Sequence, residues 1–264
     1  MIDYMGKKIQ NWTLLFLLLL STGSLHAQWF SIPNLTTFDD RTIHFGFTLG
    51  INTLDYSFSH FNTLNDNPAF SIDSVKTDYR FELDSAGRML RADIAQLTPG
   101  FTVGIVSNLR LSEYFDLRFV PGLSFGDRKI VYNVPIHDIN QPGTLKEYII
   151  RSTFIDFPLY IKYKSKRIIN HRPYMLAGLA FRLDISKSAN EELLQIKKHG
   201  FFFEAGMGWD LYLQFFRLST EVKYSIGLGN VLSSQYPQAP QQQYYQMALK
   251  NLYAQMLTLS FHFE

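Results

Sequence analysis

The chain has 264 residues, no cysteine and a formal net charge of +2. These values exclude disulfides, thiolate metal sites and a lipid-modified cysteine, and they provide no strong field for a nucleic-acid partner. Aromatic residues are abundant (23 Phe, 15 Tyr, 3 Trp) and only 18% of residues are charged, so the arrangement of the apolar residues carries the information, and the length suits one large β domain.

The first element is a targeting segment. Lys7 and Lys8 precede an apolar run from Trp12 to Leu20, and small and polar residues then lead to Leu25-His26-Ala27. This is the layout of a cleavable secretory signal over residues 1–27. The run is too short for a spanning helix, which needs about 20 apolar residues. Residues 28–42 are then expected to form a short periplasmic segment ahead of a β domain over 43–264.

From Ile43 onward the dominant signal is strict alternation of apolar and polar residues, the mark of a strand with two unlike faces. In Ile43–Ser57, Phe45, Phe47, Leu49 and Ile51 oppose His44, Gly46, Thr48, Gly50 and Asn52. The pattern returns in Pro99–Leu111, Tyr114–Arg128, Tyr148–Lys164, Arg172–Ile185, Phe201–Leu213, Phe216–Asn230 and Tyr253–Phe263. Each run matches or exceeds the roughly 9 to 11 residues that a tilted strand needs to cross a bilayer. Ordinary globular strands have a mode of about 5 to 6 residues.

The connections alternate in length. Those over 57–98, 129–147, 186–200 and 231–251 are long, and those over 111–114, 165–171 and 213–215 are short. Outer-membrane barrels have short periplasmic turns and long external loops. The predicted fold is therefore all-β: an eight-stranded antiparallel up-and-down transmembrane β-barrel in the outer membrane of a Gram-negative bacterium. A soluble periplasmic β protein is the alternative, disfavoured by strand length and by an apolar face on every strand.

The predicted inward face carries Arg110, Asp116, Arg118, Arg128, Asp156, Lys162, Arg182, Asp184, Glu204, Asp210, Arg217, Glu221 and Lys223. A barrel of eight strands is narrow and filled by side chains, and charges shielded from water are costly unless paired. The expectation is a structural salt-bridge network that plugs the lumen. Mixed charge signs argue against a selective conduit.

No constellation points to catalysis, a metal or a cofactor. There is no Gly-x-Ser-x-Gly elbow and no phosphate-binding glycine loop, and the seven histidines are scattered without metal-ligand spacing. His44 and His262 are expected near the periplasmic ends of neighbouring strands, which leaves a wall-embedded lipid-modifying enzyme as a remote alternative to a polar lumen end. Lys164, Lys166, Arg167, His171 and Arg172 form a basic cluster in one short connection; it reads either as a solvated turn beside anionic headgroups or as a docking surface for a periplasmic partner. The segment Gln235–Gln243, rich in Gln, Pro and Tyr, reads as an exposed mobile loop, and residues 62–97 read as a long loop without periodicity.

Four strings resemble one family: FDDRTIHFGFTLGINTLDYSFS, PGFTVGIVSNLRLSEYFDLRFVPGLSFGDR, STFIDFPLYIKYKSKRIINHRPYMLAGLAFRLD and LSFHFE. They are similar to the PorT family, and the similarity covers nearly all of the chain after the signal, weakest in the long loops. The resemblance implies an outer-membrane barrel required by the type IX secretion system, which exports proteins bearing C-terminal sorting domains and supports gliding motility in some bacteria. It implies no enzymatic activity, no catalytic residues and no cofactor. The expected partners are outer-membrane lipid and other secretion-system subunits, with no nucleic acid and no small-molecule substrate. A small passive channel or ligand-binding barrel is the competing reading.

Overall fold

Period-two alternation makes each strand apolar on one side and polar on the other, and the polar sides can all leave the lipid only if the sheet closes on itself. A computed structural model shows this closure and describes residues 32–62, 66–68, 92–137, 144–186, 194–235 and 240–264. The expected signal sequence ending at Ala27 lies outside the described residues. The strands are β1 (Ile43–His60), β2 (Ala92–Leu97), β3 (Pro99–Arg110), β4 (Phe115–Phe119), β5 (Gly122–His137), β6 (Thr144–Lys164), β7 (His171–Asp184), β8 (His199–Tyr212), β9 (Arg217–Gly227) and β10 (Leu249–Phe263). The described residues include a short 3-10 turn at Phe38–Asp40 and one α-helix, α1 (Pro240–Met247), which precedes β10.

Two of the ten strands are continuations of their neighbours. β2 runs into β3 across Thr98, and β4 into β5 across Val120-Pro121, so the wall has eight staves. Each pairs antiparallel with the next, and β1 closes the ring by pairing with both β10 and β3. Following the register once round, Thr53 opposes Leu257, then Tyr224, Ala205, Ala177, Ile161, Leu117 and Leu109, and the path returns to Ile43, ten residues short of its start. With strands ~4.8 Å apart and ~3.3 Å per residue, that stagger corresponds to a tilt of about 40° and a backbone radius of about 8 Å.

The strand positions follow the predicted runs, with three differences. The connection expected to be long after β5 is short, because β5 and β6 extend to His137 and Thr144 and stay paired beyond the ring. The stretch read as an unpatterned loop up to Leu97 ends in β2, which pairs with β5. The stretch read as a mobile loop, Gln235–Gln243, runs at Pro240 into α1, which continues beyond it to Met247 and buries Tyr245.

The outer wall is apolar and exposed, as lipid requires. Phe47, Ile51, Ile105, Leu159, Leu179, Met207, Val222 and Leu257 all face outward. Outward aromatic pairs sit near both edges of this wall: Phe115 with Tyr163 and Phe47 with Phe263 towards the short turns, and Phe101 with Phe125 and Phe181 with Phe201 towards the long connections. These are the interfacial girdles of a membrane barrel. Inside, Gly208 admits the Tyr174 ring: a side chain there would meet the Tyr174 hydroxyl at 2.5 Å and the Thr220 carbonyl at 2.7 Å.

Prolines remove ladder bonds where β4 gives way to β5. Val120 N–H donates to the Pro158 carbonyl (3.3 Å) and Ile105 N–H donates to the Pro121 carbonyl (3.0 Å), but neither proline has an N–H to return the bond. Two ladder bonds are therefore missing side by side, where β4 gives way to β5.

Leu179→Arg, at mid-height on the lipid face, is expected to cost about 2–4 kcal/mol in a reversible unfolding titration in lipid, whereas Ile185→Arg at the rim is expected to cost no more than about 1 kcal/mol. Gly208→Val is expected to cost about 1–3 kcal/mol by overpacking, read as a lower folded fraction in the gel-mobility difference between heated and unheated protein.

Candidate functional site

The inward side chains are stacked in layers, each set by the alternation of the strands that carry it. In the middle layer Arg118 (β4) pairs with Glu221 (β9) at 2.8 Å and with Glu264 at 3.4 Å. Its Nε also donates to Asn108 (2.7 Å). Lys162 (β6) pairs with Asp210 (β8) at 2.8 Å, and Arg217 bridges Glu264 (2.7 Å) and Asp210 (3.9 Å). The Tyr174 hydroxyl donates to Glu221 (2.9 Å), and the ring lies beneath the Lys162 ammonium at 3.6 Å. All five of these charged strand residues are buried. An isolated buried charge would be untenable; here each cation touches a carboxylate and each carboxylate touches a cation.

The layer above is built the same way. Arg182 holds Asp156 (2.5 Å) and Glu204 (2.8 Å), and Lys223 reaches Glu204 at 3.1 Å. Tyr160 donates to Glu204 and accepts from Lys223. Asp156 also accepts from Ser124. Of the residues expected in the network, Asp184 lies at the edge, where it accepts from Ser186 N–H (2.8 Å) and makes no ion pair among the described residues. Arg110 lies at the opposite edge and donates to the Asp39 carbonyl. Asp116 pairs with Lys164 (2.6 Å).

That last pair alters the reading of the basic turn. Lys164 and Arg172 are buried inside the barrel end rather than displayed on the turn. Arg172 pairs with Asp39 (3.1 Å) and donates to the Ser165 and Glu113 carbonyls. Arg167 donates to the Leu35 and Asn34 carbonyls and stacks on Tyr212 at 3.6 Å. His171 accepts from the Trp209 indole (3.2 Å). Lys166 alone of the five is exposed. The cluster is thus largely a receptor for the chain's own segment 32–41, which also bonds Asn170 and Tyr212 through Asn34. A reading of the sequence in isolation could not see this, because nothing in the local pattern links Asp39 to a turn more than 120 residues away.

Glu264 is the other residue that sequence reasoning passed over. The signal was present: Thr258, Ser260 and His262 alternate inward, and the next inward position is Glu264. His44 and His262 are each engaged with a different neighbour. His44 stacks on Phe38 (4.2 Å), whereas His262 lies 3.4 Å from Glu221. No cluster able to hold a metal ion occurs among the described residues.

The end bearing the long connections is closed by apolar packing. Tyr245, Ala248, Leu249 and Leu252 from α1 and β10 join Leu194, Val231, Ile130 and Tyr56 in one buried cluster. Burial pushes the Tyr245 phenol up to about 12, because its charged form would have no water. The lumen is therefore occupied at three heights: an apolar cap, the charge layers and the segment 32–41.

Removing one partner of the Lys164–Asp116 pair leaves the other charge buried and alone. Asp116→Asn is expected to lower stability by about 3–5 kcal/mol, and the double variant Asp116→Leu/Lys164→Met to recover most of that loss; urea unfolding midpoints of the three proteins check it.

No curated protein matches the chain. Among solved structures it is similar to Neisserial surface protein A (12% identity, covering 84% of this chain and 99% of that chain, TM-score 0.41). It is similar also to the outer membrane protein AlkL (15%, 83% and 90%, TM-score 0.37) and to the N-terminal β-barrel domain of Pseudomonas aeruginosa OprF (13%, 82% and 97%, TM-score 0.31). Residues 26–233 match the family described as outer membrane protein beta-barrel domain; with that match over most of its length and a closed ring of lipid-facing strands, the chain belongs to this family and is an outer-membrane protein.

Proposed function

We propose that this barrel is a non-enzymatic component of the type IX protein secretion system, exported by a signal removed after Ala27. It acts by assembling or positioning partner subunits rather than by conducting cargo. The observation that carries the reading is the filled lumen. A barrel of about 8 Å backbone radius stacked with buried ion pairs and closed at both ends leaves its surfaces as the working parts. The strand-by-strand resemblance to the PorT family points those surfaces at secretion.

On the periplasmic side the accessible elements are the short turns. Lys166, Ile168 and Phe215 are exposed there, Phe215 to 89%. A turn that is both apolar and exposed outside the lipid-facing wall suits contact with another protein.

Deleting the gene is expected to leave proteins with C-terminal sorting domains in the periplasm, and a wild-type copy to restore their export. Unchanged export would overturn the secretion reading. Purified barrel in a planar bilayer is expected to give no sustained conductance; stable conductance steps would favour the passive-channel reading. The double variant Lys166→Glu/Phe215→Ser is expected to fold normally by gel mobility yet export less cargo, since it alters only exposed turn residues.

A further inference from the structure

One buried cation stands outside the compensated layers. Arg128, on β5 just above Arg182, is 2% exposed, yet it makes no ion pair among the described residues. Both of its hydrogen bonds leave from Nη1, to the Tyr56 hydroxyl (2.9 Å) and to Ser152 Oγ (2.9 Å). Its Nε is buried without a partner. The guanidinium is held between aromatic faces, 4.1 Å from the Tyr56 ring centroid and 5.4 Å from that of Phe154. These contacts fix its plane and leave the Nε–Nη2 edge uncommitted. That is the edge with which arginine grips an oxyanion through two parallel hydrogen bonds.

Arg128 forms part of the wall of a narrow cleft that opens to solvent on one side. Phe154, Phe202 and Ile196 give it apolar walls, and Lys197, Lys198 and His199 stand at the start of β8. The acid lining it is Asp184, whose Oδ1 is occupied by Ser186. Asp55 acts on Arg128 only through its field, and Arg182 is already held by Asp156 and Glu204. The cleft thus combines a surplus of positive charge, an orphaned buried donor and apolar sides. Sites for small amphipathic ligands are built in this way.

We propose that this cleft, at the mouth bearing the long connections, binds an oxyanion group carried on a small apolar body, a carboxylate or a phosphate, with Arg128 as the bidentate anchor. The proposal is independent of the secretion reading. The anion arrives either on a soluble molecule or on a lipid headgroup.

The test uses the full barrel in maltoside micelles at low salt, titrated calorimetrically with benzoate, with the neutral isostere benzyl alcohol and with inorganic phosphate. Benzoate is expected to bind at least ten times more tightly than benzyl alcohol. Arg128→Met is expected to weaken benzoate at least tenfold, and Arg128→Lys nearly as much, because the charge stays but the fork is lost. Asp184→Asn is expected to leave benzoate binding intact or to strengthen it. Should Arg128→Met fail to fold by gel mobility, Ile196→Trp, which fills the cleft from a loop, is expected to produce the same loss. Barrel in nanodiscs with and without phosphatidate separates the sources: loss of benzoate binding only when phosphatidate is present assigns the site to a lipid headgroup, and undiminished binding assigns it to a soluble anion. Absence of binding by both benzoate and phosphate, equal binding of benzoate and benzyl alcohol, or a folded Arg128→Met protein that binds like wild type would overturn the proposal.

Discussion

A strand in hydrocarbon has no water to satisfy its free edge, and each unpaired N–H or C=O there costs several kcal/mol. The pairing of β1 with β10 is the contact on which everything else rests. Over Phe47 to Ser59 the two strands run in continuous register, and the ring they close creates an inside. Only once that inside exists can Arg118, Lys162 or Arg217 lie within reach of acids carried by strands on the far wall. The charge layers are a consequence of closure, and in turn they fix its register. A slip of one residue would turn each of those charges out to lipid and each phenylalanine into the lumen.

The same logic explains why buried ion pairs are tolerated here in such numbers. Apolar residues of similar volume would often be at least as stabilising as a buried ion pair. In a membrane barrel that substitution would erase the difference between the two faces of each strand. Charges specify which way a strand faces, and their mutual pairing offsets their desolvation. Tyr160 and Tyr174 contribute both ways, filling volume while their hydroxyls complete the coordination of Glu204 and Glu221.

Much of this was legible in the sequence, because the period of two is a local property. Phe45 to Ile51 announce their strand without reference to any other, and parity alone assigned Arg118, Asp156, Glu204 and Asp210 to the interior. What was hidden depended on contacts distant in sequence or on segments without periodicity. β2 is short and owes its order to β5. α1 is an indifferent helix of polar residues that exists because Tyr245 finds a buried place against Leu194 and Leu252. The basic turn looked like an open surface because Asp39, its partner, lies in a stretch with no pattern of its own. Glu264 was legible by parity but fell just beyond the last apolar alternation, where the pattern was no longer being read.

The two prolines where β4 meets β5 have a mechanical meaning. Six of the eight seams in the wall resist shear through ladders that neither proline interrupts, while the two seams flanking Val120-Pro121 each lack one cross-link. A cylinder with one softened arc is not equally stiff along all its diameters. Missing cross-links on two adjacent seams make that arc easier to deform than a run of complete ladders. Gly104 and Gly122, which face each other beside the gap, let the backbone flex there without colliding side chains. The orientation of this soft arc gives the molecule a front and a back in the plane of the membrane, something a uniform barrel would lack.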